Sequence, residues 1–353
     1  MAFCLYHPEF GYYMSGQERT GVRGDYFTSP DLHPIFARLM ARQAAEMWEI
    51  VGRPPRFAFV ELGAGRGLFA TDFLDWSRRV LSDFHSALEY VAMEPSPGVL
   101  ERIRQRLAKA RLGGRVRLLP SVESLESVTG CFFSNELVDA FPVAVVTRAG
   151  GRLKEIYVEA RGEELSEKTG PISNPAIGQA IARYSKQIEE GQRVEVNRGI
   201  EPYARRLAEK LARGFALTID YGDVGENLYT PARPRGTLMA YRGHVASETF
   251  YDFPGEQDLT AHVNFSLLME AGQNAGLEVT GFTTQERFLM ALGEANRFGD
   301  LFDLSAPEIE KLQARLKLKR LLYPSAMGSI YKVLIQHRGV EAPRLTGLRY
   351  KSG

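Results

Sequence analysis

The fold of this chain is decided by residues 57–67, which read FAFVELGAGRG. An apolar strand runs into a turn that has glycine at every second position, with an acid just before it. Glycine lets the backbone approach a ligand where a Cβ atom would clash. Amphipathic helical sequence follows from Leu68 to Val80. A strand, a glycine turn and a helix N-terminus together predict a nucleotide-type binding edge of an α/β sheet.

The glycine spacing separates two classes of ligand. A dinucleotide fingerprint needs glycine at the first, third and sixth positions of its run. Here Leu68 stands at the sixth position, and the third glycine, Gly67, stands at the fifth. A phosphate-binding P-loop would need a following Lys and Ser or Thr, which are absent from this stretch. The spacing therefore excludes a P-loop and disfavours a nicotinamide dehydrogenase.

The run Glu-x-Gly-x-Gly-x-Gly after the first strand resembles the S-adenosylmethionine signature of class I methyltransferases. The resemblance implies S-adenosylmethionine as the cofactor. It also implies which residues hold the cofactor at this turn, namely Glu61, Gly63, Ala64, Gly65 and Gly67. A glycine turn that only packs a helix on a sheet is the alternative.

A second predicted strand, residues 88–93, ends in Glu94-Pro95-Ser96-Pro97. In nucleotide-binding folds, an acid at the end of strand two accepts hydrogen bonds from ribose hydroxyls. We assign this role to Glu94, with Pro95 beside it in the cofactor site. Ser96 is a predicted N-cap, with proline at the first helical position. Alternatively, Glu94 is a surface acid that is favoured near a helix start.

Composition and charge limit the function classes. The chain has 353 residues, of which 44% are hydrophobic and 25% charged, so it can form one large or two modest globular domains. A net charge of +1 provides no electrostatic basis for nonspecific binding of nucleic acid. Two cysteines are too few for a disulfide framework or a zinc site, and the six histidines lack a ligand spacing, so we predict no metal. No run is apolar enough to span a membrane, and no signal or transit peptide is recognised, so we expect a cytoplasmic protein.

Strands and helices alternate along the chain, which predicts a mostly parallel, seven-stranded sheet with helices on both faces. This is the Rossmann-like α/β fold of class I methyltransferases, with substrate-binding insertions. A helix over residues 34–50 precedes the sheet, and Ser29 or Asp31 is its candidate cap. The predicted strands are residues 57–62, 88–93, 116–119, 130–134, 215–220, 277–282 and 329–336.

Two long segments interrupt this alternation. Residues 143–213 open with a predicted hairpin and continue with helical stretches near 176–190 and 202–211. Residues 221–264 are rich in glycine, proline and aromatics and are interpreted as a long loop. Both segments follow carboxyl ends of strands, so we assign them to recognition of the methyl acceptor. The predicted division is an N-terminal lid and helical segment (1–56), a cofactor-binding domain (57–142 and 214–340) and an inserted substrate-recognition segment (143–213).

An ordered set of further motifs is similar to the MidA family over nearly the whole chain. This family includes the mitochondrial methyltransferase that assists assembly of respiratory complex I by methylating an arginine of one subunit. Membership implies a protein substrate, and relative to the family pattern we expect an N-terminal segment to be missing. The motifs are GYY at residues 11–13, GDYFTSP at 24–30, SNELVDAFP at 134–142, DYG at 220–222, GTL at 236–238, YRGH at 241–244 and PGEQDLTAHVNF at 254–265.

The resemblance also implies further cofactor contacts. Residues 24–30 are expected to fold over the cofactor as a lid, with an N-cap box and core aromatics as the alternative interpretation. Ser121 and Val122, shortly after the third strand, fall where many methyltransferases contact adenine, although Ser121 replaces the acid that is common there. These implied contacts are Tyr26, Thr28, Ser29, Pro30, Ser121 and Val122.

An arginine acceptor makes specific demands on the site. Guanidinium stays charged at ordinary pH, so carboxylates must hold it and localise its charge. We predict that Glu136 grips the guanidinium and that Asp139 orients it, since the two share a face if their turn is helical. Asn135 is predicted to hold the cofactor or the acceptor nitrogen, and His262 is a candidate proton acceptor. The alternatives are a helix cap for one of the acids and a structural role for the histidine.

Three functions remain open on the sequence. The first is a protein arginine methyltransferase that acts, for example, on a respiratory-complex subunit. The second is a methyltransferase for a small molecule or another side chain. The third is an assembly chaperone that binds S-adenosylmethionine and transfers nothing. The sequence also leaves a homodimer open.

Overall fold

The computed structural model describes residues 1–17, 19–21, 24–162, 164–302, 305–323 and 328–350. The strands are, in chain order, β1 (Phe57–Leu62), β2 (Leu88–Met93), β3 (Val116–Leu119), β4 (Val128–Asn135), β5 (Val143–Ala149), β6 (Arg152–Arg161), β7 (Glu164–Gly170), β8 (Arg193–Asn197), β9 (Leu211–Asp223), β10 (Met239–Arg242), β11 (Val245–Ser247), β12 (Asp258–Thr260), β13 (Val263–Asn264), β14 (Glu278–Thr284) and β15 (Tyr331–Arg338). The helices are α1 (Ala2–Tyr6), α2 (Ser29–Leu32), α3 (Ile35–Ile50), α4 (Leu68–Val80), α5 (Ser82–Ala87), α6 (Pro97–Lys109), α7 (Pro175–Ile181), α8 (Ile200–Lys210), α9 (Gly225–Leu228), α10 (Phe265–Asn274), α11 (Gln285–Ala295) and α12 (Glu308–Leu322).

The central sheet has the strand order β3-β2-β1-β4-β9-β15-β14, and β13 adds to the end of β9. The first five strands of this order are parallel, whereas β15 runs antiparallel to both of its neighbours. All six residues of β1 are buried, as expected for a central parallel strand covered on both faces. The predicted fold class is confirmed.

Helices cover both faces of the sheet. On one face, α3, α4, α6, α11 and α12 share a single apolar core with the sheet. On the other face, α8 and α10 pack on β1, β2, β4 and β9. Aromatic rings pack α4 against the sheet. The ring centroids of Phe73 and Phe59 are 4.4 Å apart, and those of Phe69 and Phe133 are 4.6 Å apart. This packing positions the glycine turn between β1 and α4.

The predicted cap of α3 is wrong. Ser29 and Asp31 lie in the separate short helix α2, and Thr28 is its N-cap. The Asp31 carboxylate accepts hydrogen bonds from the Thr28 N–H at 3.0 Å and from its hydroxyl at 2.8 Å. His33 is extended because it precedes Pro34, and this extended residue separates α2 from α3.

The first interrupting segment forms an antiparallel sheet of its own, with the order β7-β6-β5-β8. The predicted hairpin is β5–β6, with Val145 opposite Ile156. The helix expected over residues 176–190 is wrong in length, because α7 ends at Ile181 and only a 3-10 turn follows. The other predicted helix, α8, packs under the central sheet rather than on the inserted one. The inserted sheet is therefore built by residues 143–197, and the wider domain division stays a prediction.

The second segment is not a structureless loop. It contains α9 and a three-stranded antiparallel sheet of order β11-β10-β12, and β13 returns the chain to the central sheet. Strands of three or four residues are too short to show an alternating pattern in the sequence. Within the described ranges, no helix has the length and apolar character needed to cross a membrane.

Candidate active site

A cleft lies at the carboxyl ends of β1, β2 and β4, where open α/β sheets bind ligands. It encloses about 1210 Å³ of space between protein atoms, part of it open to solvent. Eleven residues predicted for the site line it, namely Tyr26, Thr28, Pro30, Glu61, Gly63, Ala64, Gly65, Glu94, Pro95, Asn135 and Glu136.

The glycine turn has a defined backbone geometry. Gly63, Gly65 and Gly67 all have positive φ, between 50° and 70°. The N–H groups of Gly63 and Ala64 donate to the Met93 carbonyl at 3.0 and 2.9 Å, which ties the turn to the end of β2. A Cβ atom on Gly65 would meet no atom nearer than 4.0 Å, so the backbone there is open. The predicted close approach of backbone to ligand is thus available at Gly65.

Gly67 has a different task from the one predicted. It does not line the cleft, and a Cβ atom on it would lie 3.2 Å from Ile103 of α6. Gly67 is the left-handed residue at the N-terminus of α4. It therefore permits helix packing and leaves ligand approach to its two neighbours in the turn.

Two buried carboxyl groups stand at the end of the cleft that contains the glycine turn. Glu61 accepts a hydrogen bond from the Tyr90 hydroxyl at 2.6 Å, and Glu94 accepts one from the Gly65 N–H at 3.1 Å. Burial raises the pKa of Glu61 to about 8 and that of Glu94 to about 7. Both acids are placed to accept hydrogen bonds from ligand hydroxyl and amino groups.

The end of β4 brings Asn135 and Glu136 into the cleft. Glu136 has φ +52° and is held by three donors: the Ser29 N–H at 3.2 Å, the Asn135 amide at 2.9 Å and the Tyr331 hydroxyl at 3.0 Å. Burial raises the pKa of Glu136 to about 7. The NH₂ group of the Asn135 amide donates to Glu136, so the carbonyl oxygen of the amide points away from that carboxylate. Asn135 Oδ1 is buried and has no hydrogen-bond partner among the residues that the structure describes, so it is an acceptor available to a ligand.

Asp139 does not share a helical face with Glu136, because the turn between them is irregular. Asp139 does not line the cleft, and its carboxylate accepts a hydrogen bond from the Tyr221 hydroxyl. Asp220 lies beside it, and its carboxylate accepts hydrogen bonds from the backbone N–H groups of Leu137, Val138 and Asp139 at 2.9–3.3 Å. Burial raises the pKa of both aspartates. The sequence did not single out Asp220 as a site residue, although it stands in the DYG motif.

His262 also lies outside the cleft. Its ring packs edge-on against Tyr221 at 5.5 Å, and Nδ1 lies 3.4 Å from the Arg233 guanidinium. Burial lowers the pKa of His262 to about 4. A neutral imidazole with this pKa is a weak base, so the structure does not favour its predicted role as proton acceptor.

Three other predicted contacts do not line the cleft, namely Ser29, Ser121 and Val122. Ser29 is fully buried, and its hydroxyl lies 3.3 Å from the Gln285 side chain. Ser121 and Val122 begin a 3-10 turn after β3. The lid interpretation of residues 24–30 and the capping alternative both describe part of the structure, since Thr28 caps α2 while it lines the cleft.

Several polar residues that line the cleft were not predicted from the sequence. Arg66 forms an ion pair with Asp31 at 2.8 Å, which joins the glycine turn to α2. The signals were present, because Arg66 is part of the opening stretch and Tyr13 is part of the GYY motif, but neither pattern specifies a ligand contact. The missed polar residues include Tyr6, Tyr13, Arg19, Asp31, Arg66 and Arg102.

The cleft fits S-adenosylmethionine chemically. That molecule has hydroxyl and ammonium donors, which match the carboxyl groups of Glu61 and Glu94. It also has a carboxylate, which suits the arginines in the lining. Gly65 supplies the open backbone. The fold and this site together define a class I methyltransferase.

Comparison with known proteins assigns the family. Residues 39–283 match a family model described as "Putative S-adenosyl-L-methionine-dependent methyltransferase". The chain therefore belongs to this family, in agreement with the resemblance found in its motifs, and S-adenosylmethionine is its cofactor.

Individual relatives are similar over nearly the whole of this chain. The "Protein arginine methyltransferase NDUFAF7 homolog, mitochondrial" of Drosophila melanogaster is 27% identical, over 98% of this chain and 82% of that protein. The human protein arginine methyltransferase NDUFAF7 is also 27% identical, over 99% of this chain and 81% of its own. A crystal structure from Burkholderia thailandensis, described as a "likely methyl transferase" bound to S-adenosyl-homocysteine, superposes with a TM-score of 0.88. It is 29% identical and covers 99% of this chain and 89% of its own.

Proposed function

We propose that this methyltransferase acts on an arginine side chain of a protein. The observation that carries the proposal is the acceptor-only chemistry at the end of β4, where Asn135 Oδ1 and the Glu136 carboxylate share the cleft with the glycine turn. A guanidinium has five N–H donors and no acceptor, so it complements such a lining. The names of the relatives from Drosophila and human support the same acceptor.

Different residues of the cleft would bind the cofactor and the methyl acceptor. Glu61, Gly65 and Glu94 would hold S-adenosylmethionine, which supplies an electrophilic methyl group when bound. Asn135 Oδ1 accepts a hydrogen bond from the acceptor and orients its nitrogen, and Glu136 keeps the amide in that orientation. Positioning of this kind contributes about 7–11 kcal/mol for well-aligned reactants.

Proton balance gives Glu136 a second task. The acceptor nitrogen loses one proton as it gains the methyl group. A carboxylate whose pKa lies near 7 is suited to take that proton at neutral pH. We therefore assign Glu136 both to holding the guanidinium and to accepting its proton.

A labelling experiment tests the acceptor class. The protein is incubated with methyl-labelled S-adenosylmethionine and a cell extract, and a respiratory-complex subunit is the first purified substrate to try. We expect label in methylarginine after hydrolysis of the protein fraction. Label in a metabolite or in another side chain would contradict the proposal, and so would tight cofactor binding without any transfer, as an assembly chaperone would show.

The variant Glu136→Gln tests the residue assignment. It removes the charge and the proton acceptor but keeps the shape, so we expect transfer to fall about 100-fold or more. The affinity for S-adenosylhomocysteine should change by less than about threefold, since Glu136 is not at the cofactor end. Glu201→Gln, on the exposed side of α8, is the matched control and should leave both quantities unchanged. Full transfer by Glu136→Gln would remove this residue from the mechanism.

A further inference from the structure

One wall of the cleft is built from tyrosines that do not belong to the central sheet. Tyr6 ends α1, and Tyr13 and Tyr26 lie in the chain between α1 and α2. All three line the cleft together with Asn135 and Glu136. The rings of Tyr6 and Tyr13 lie 5.6 Å apart and are tilted by 31°. We call these three residues the tyrosine wall.

The hydroxyl groups of the tyrosine wall are already engaged by the protein. Tyr6 donates to the Ala140 carbonyl at 2.9 Å, and Tyr13 donates to the Asp258 carboxylate at 2.7 Å. The Tyr26 side chain lies close to those of Tyr13 and Asp258. The hydrogen bonds of Tyr6 and Tyr13 fix the orientation of their rings and occupy their hydroxyl groups. What the wall offers a ligand is therefore aromatic surface, which attracts cations through its π electrons.

Buried carboxyl groups lie beside the tyrosine wall and beside the loop that follows β4. Asp258, Asp139 and Asp220 are each at most 4% exposed, and Glu136 completes the group. Burial and mutual repulsion raise the pKa of all of them. Within the described part of the chain, none of these four carboxyl groups is in an ion pair with a lysine or an arginine. Buried carboxyl groups without a cation favour a ligand that brings one.

We propose that Tyr6, Tyr13 and Tyr26 form the acceptor subsite, which selects a flat, delocalised guanidinium by stacking it on fixed rings beside buried carboxyl groups. This inference rests on the proposed arginine acceptor and names the residues that recognise it. A guanidinium is planar, weakly hydrated and stacks on aromatic rings, whereas a lysine ammonium is compact and strongly hydrated. An acceptor that lies between the wall and β4 also meets the unpartnered Asn135 Oδ1.

Binding of short peptides tests this subsite without knowledge of the natural substrate. The protein is saturated with S-adenosylhomocysteine and titrated with acetyl-Gly-Arg-Gly-amide, and with matched peptides that contain lysine or citrulline. Tyr6→Leu and Tyr13→Leu each remove one ring, and Tyr13→Phe keeps the ring but removes the hydroxyl. S-Adenosylhomocysteine affinity is measured in every variant and reports that the cleft is folded.

We expect the wild-type protein to prefer the arginine peptide. Each ring-removing variant should weaken that peptide by about twofold to thirtyfold, and Tyr13→Phe should weaken it less than Tyr13→Leu does. Arginine preference that persists unchanged in both leucine variants would overturn the tyrosine wall while the proposed arginine acceptor stands. Equal binding of the three peptides by the wild-type protein would overturn the proposed acceptor and the subsite together. If Tyr13→Leu loses S-adenosylhomocysteine binding, Tyr6→Leu decides between these outcomes.

Discussion

At the scale of single residues, the three glycines of the turn do different work despite their equal spacing. Gly63 and Gly65 line the cleft, whereas Gly67 packs against Ile103. All three have positive φ, where an L residue costs about 1–2 kcal/mol. The shared backbone conformation explains why glycine recurs, and the surroundings of each position explain what it is for.

This difference makes Gly65→Ala and Gly67→Ala a matched pair. Both should lower the free energy of unfolding by about 1–2 kcal/mol, because both place alanine at positive φ, and Gly67→Ala should lower it further because its methyl group crowds Ile103. Only Gly65→Ala should also weaken S-adenosylhomocysteine binding, by about tenfold or more, because its methyl group occupies open space at the cleft. Calorimetry and thermal unfolding measure the two effects. Equal losses of affinity in both variants would contradict the division of roles.

Cofactor affinity should depend on pH. With the pKa of Glu61 near 8 and that of Glu94 near 7, both carboxyl groups are mostly protonated at about pH 6 and mostly ionised at about pH 8.5. The ionised carboxylates attract the ammonium group of the ligand and accept hydrogen bonds from its hydroxyl groups, so the affinity for the ligand rises as pH rises. We expect S-adenosylhomocysteine to bind about tenfold tighter at the higher pH, as measured by calorimetry. Glu61→Gln should flatten this dependence, and constant affinity in the wild-type protein would exclude the assignment.

At the scale of secondary-structure elements, β9 supports the loop that follows β4. Asp220 accepts three backbone N–H groups of that loop, at Leu137, Val138 and Asp139. The preceding residue, Glu136, has a left-handed backbone and its N–H donates to the Ile219 carbonyl at 3.0 Å. The end of one strand therefore holds the loop that carries the proposed acceptor contact.

Two variants of Asp220 test this support. Asp220→Ala leaves three buried N–H groups without a partner, so it should lower the free energy of unfolding by about 3 kcal/mol or more. Asp220→Asn keeps an acceptor oxygen and resembles the protonated acid that the raised pKa favours. We expect Asp220→Asn to retain most of the stability and most of the transfer rate, while Asp220→Ala reduces transfer at saturating cofactor. Comparable loss in both variants would show that charge, and not the hydrogen-bonding geometry, matters here.

At the scale of the whole molecule, the cleft combines three parts of the chain. The central sheet provides the glycine turn and the acids, the N-terminal segment provides the tyrosine wall, and β12 provides Asp258 beside it. The inserted sheet of residues 143–197 starts beside the same loop. Its two ends meet, because the Arg198 N–H donates to the Pro142 carbonyl at 3.0 Å.

The meeting ends allow the inserted sheet to be removed without cutting α8. Replacing residues 143–197 by a short glycine linker should preserve S-adenosylhomocysteine binding and abolish transfer to the protein substrate. The physical reason is that the central sheet forms its two cores largely without the inserted strands. Binding is measured by calorimetry and transfer by methyl labelling. A folded variant that loses both activities, or keeps both, would refute the assignment of this sheet to substrate recognition.

The sequence by itself determined the central sheet and the part of the cleft around the glycine turn. Strands β1, β2 and β3 were predicted to the residue, because each is a short, mainly apolar run bounded by turn residues, and β1 and β2 are also buried in the parallel sheet. Glu61 lies near the carboxyl end of β1, and Gly65 and Glu94 follow the ends of the adjacent parallel strands β1 and β2, so their proximity follows from the strand pattern alone. Local patterns carry this information because every contact involved is set by a strand and the turn that follows it.

Only the tertiary structure decided which residues form the acceptor end. Tyr13 and Asp258 are 245 positions apart in the chain and still form a 2.7 Å hydrogen bond. Asp139 and His262, which the sequence placed in the site, face Tyr221 outside the cleft. The carboxyl groups also acquire pKa values near neutrality only through burial. Such contacts depend on how separate elements pack, and neither periodicity nor motif spacing within one segment encodes that packing.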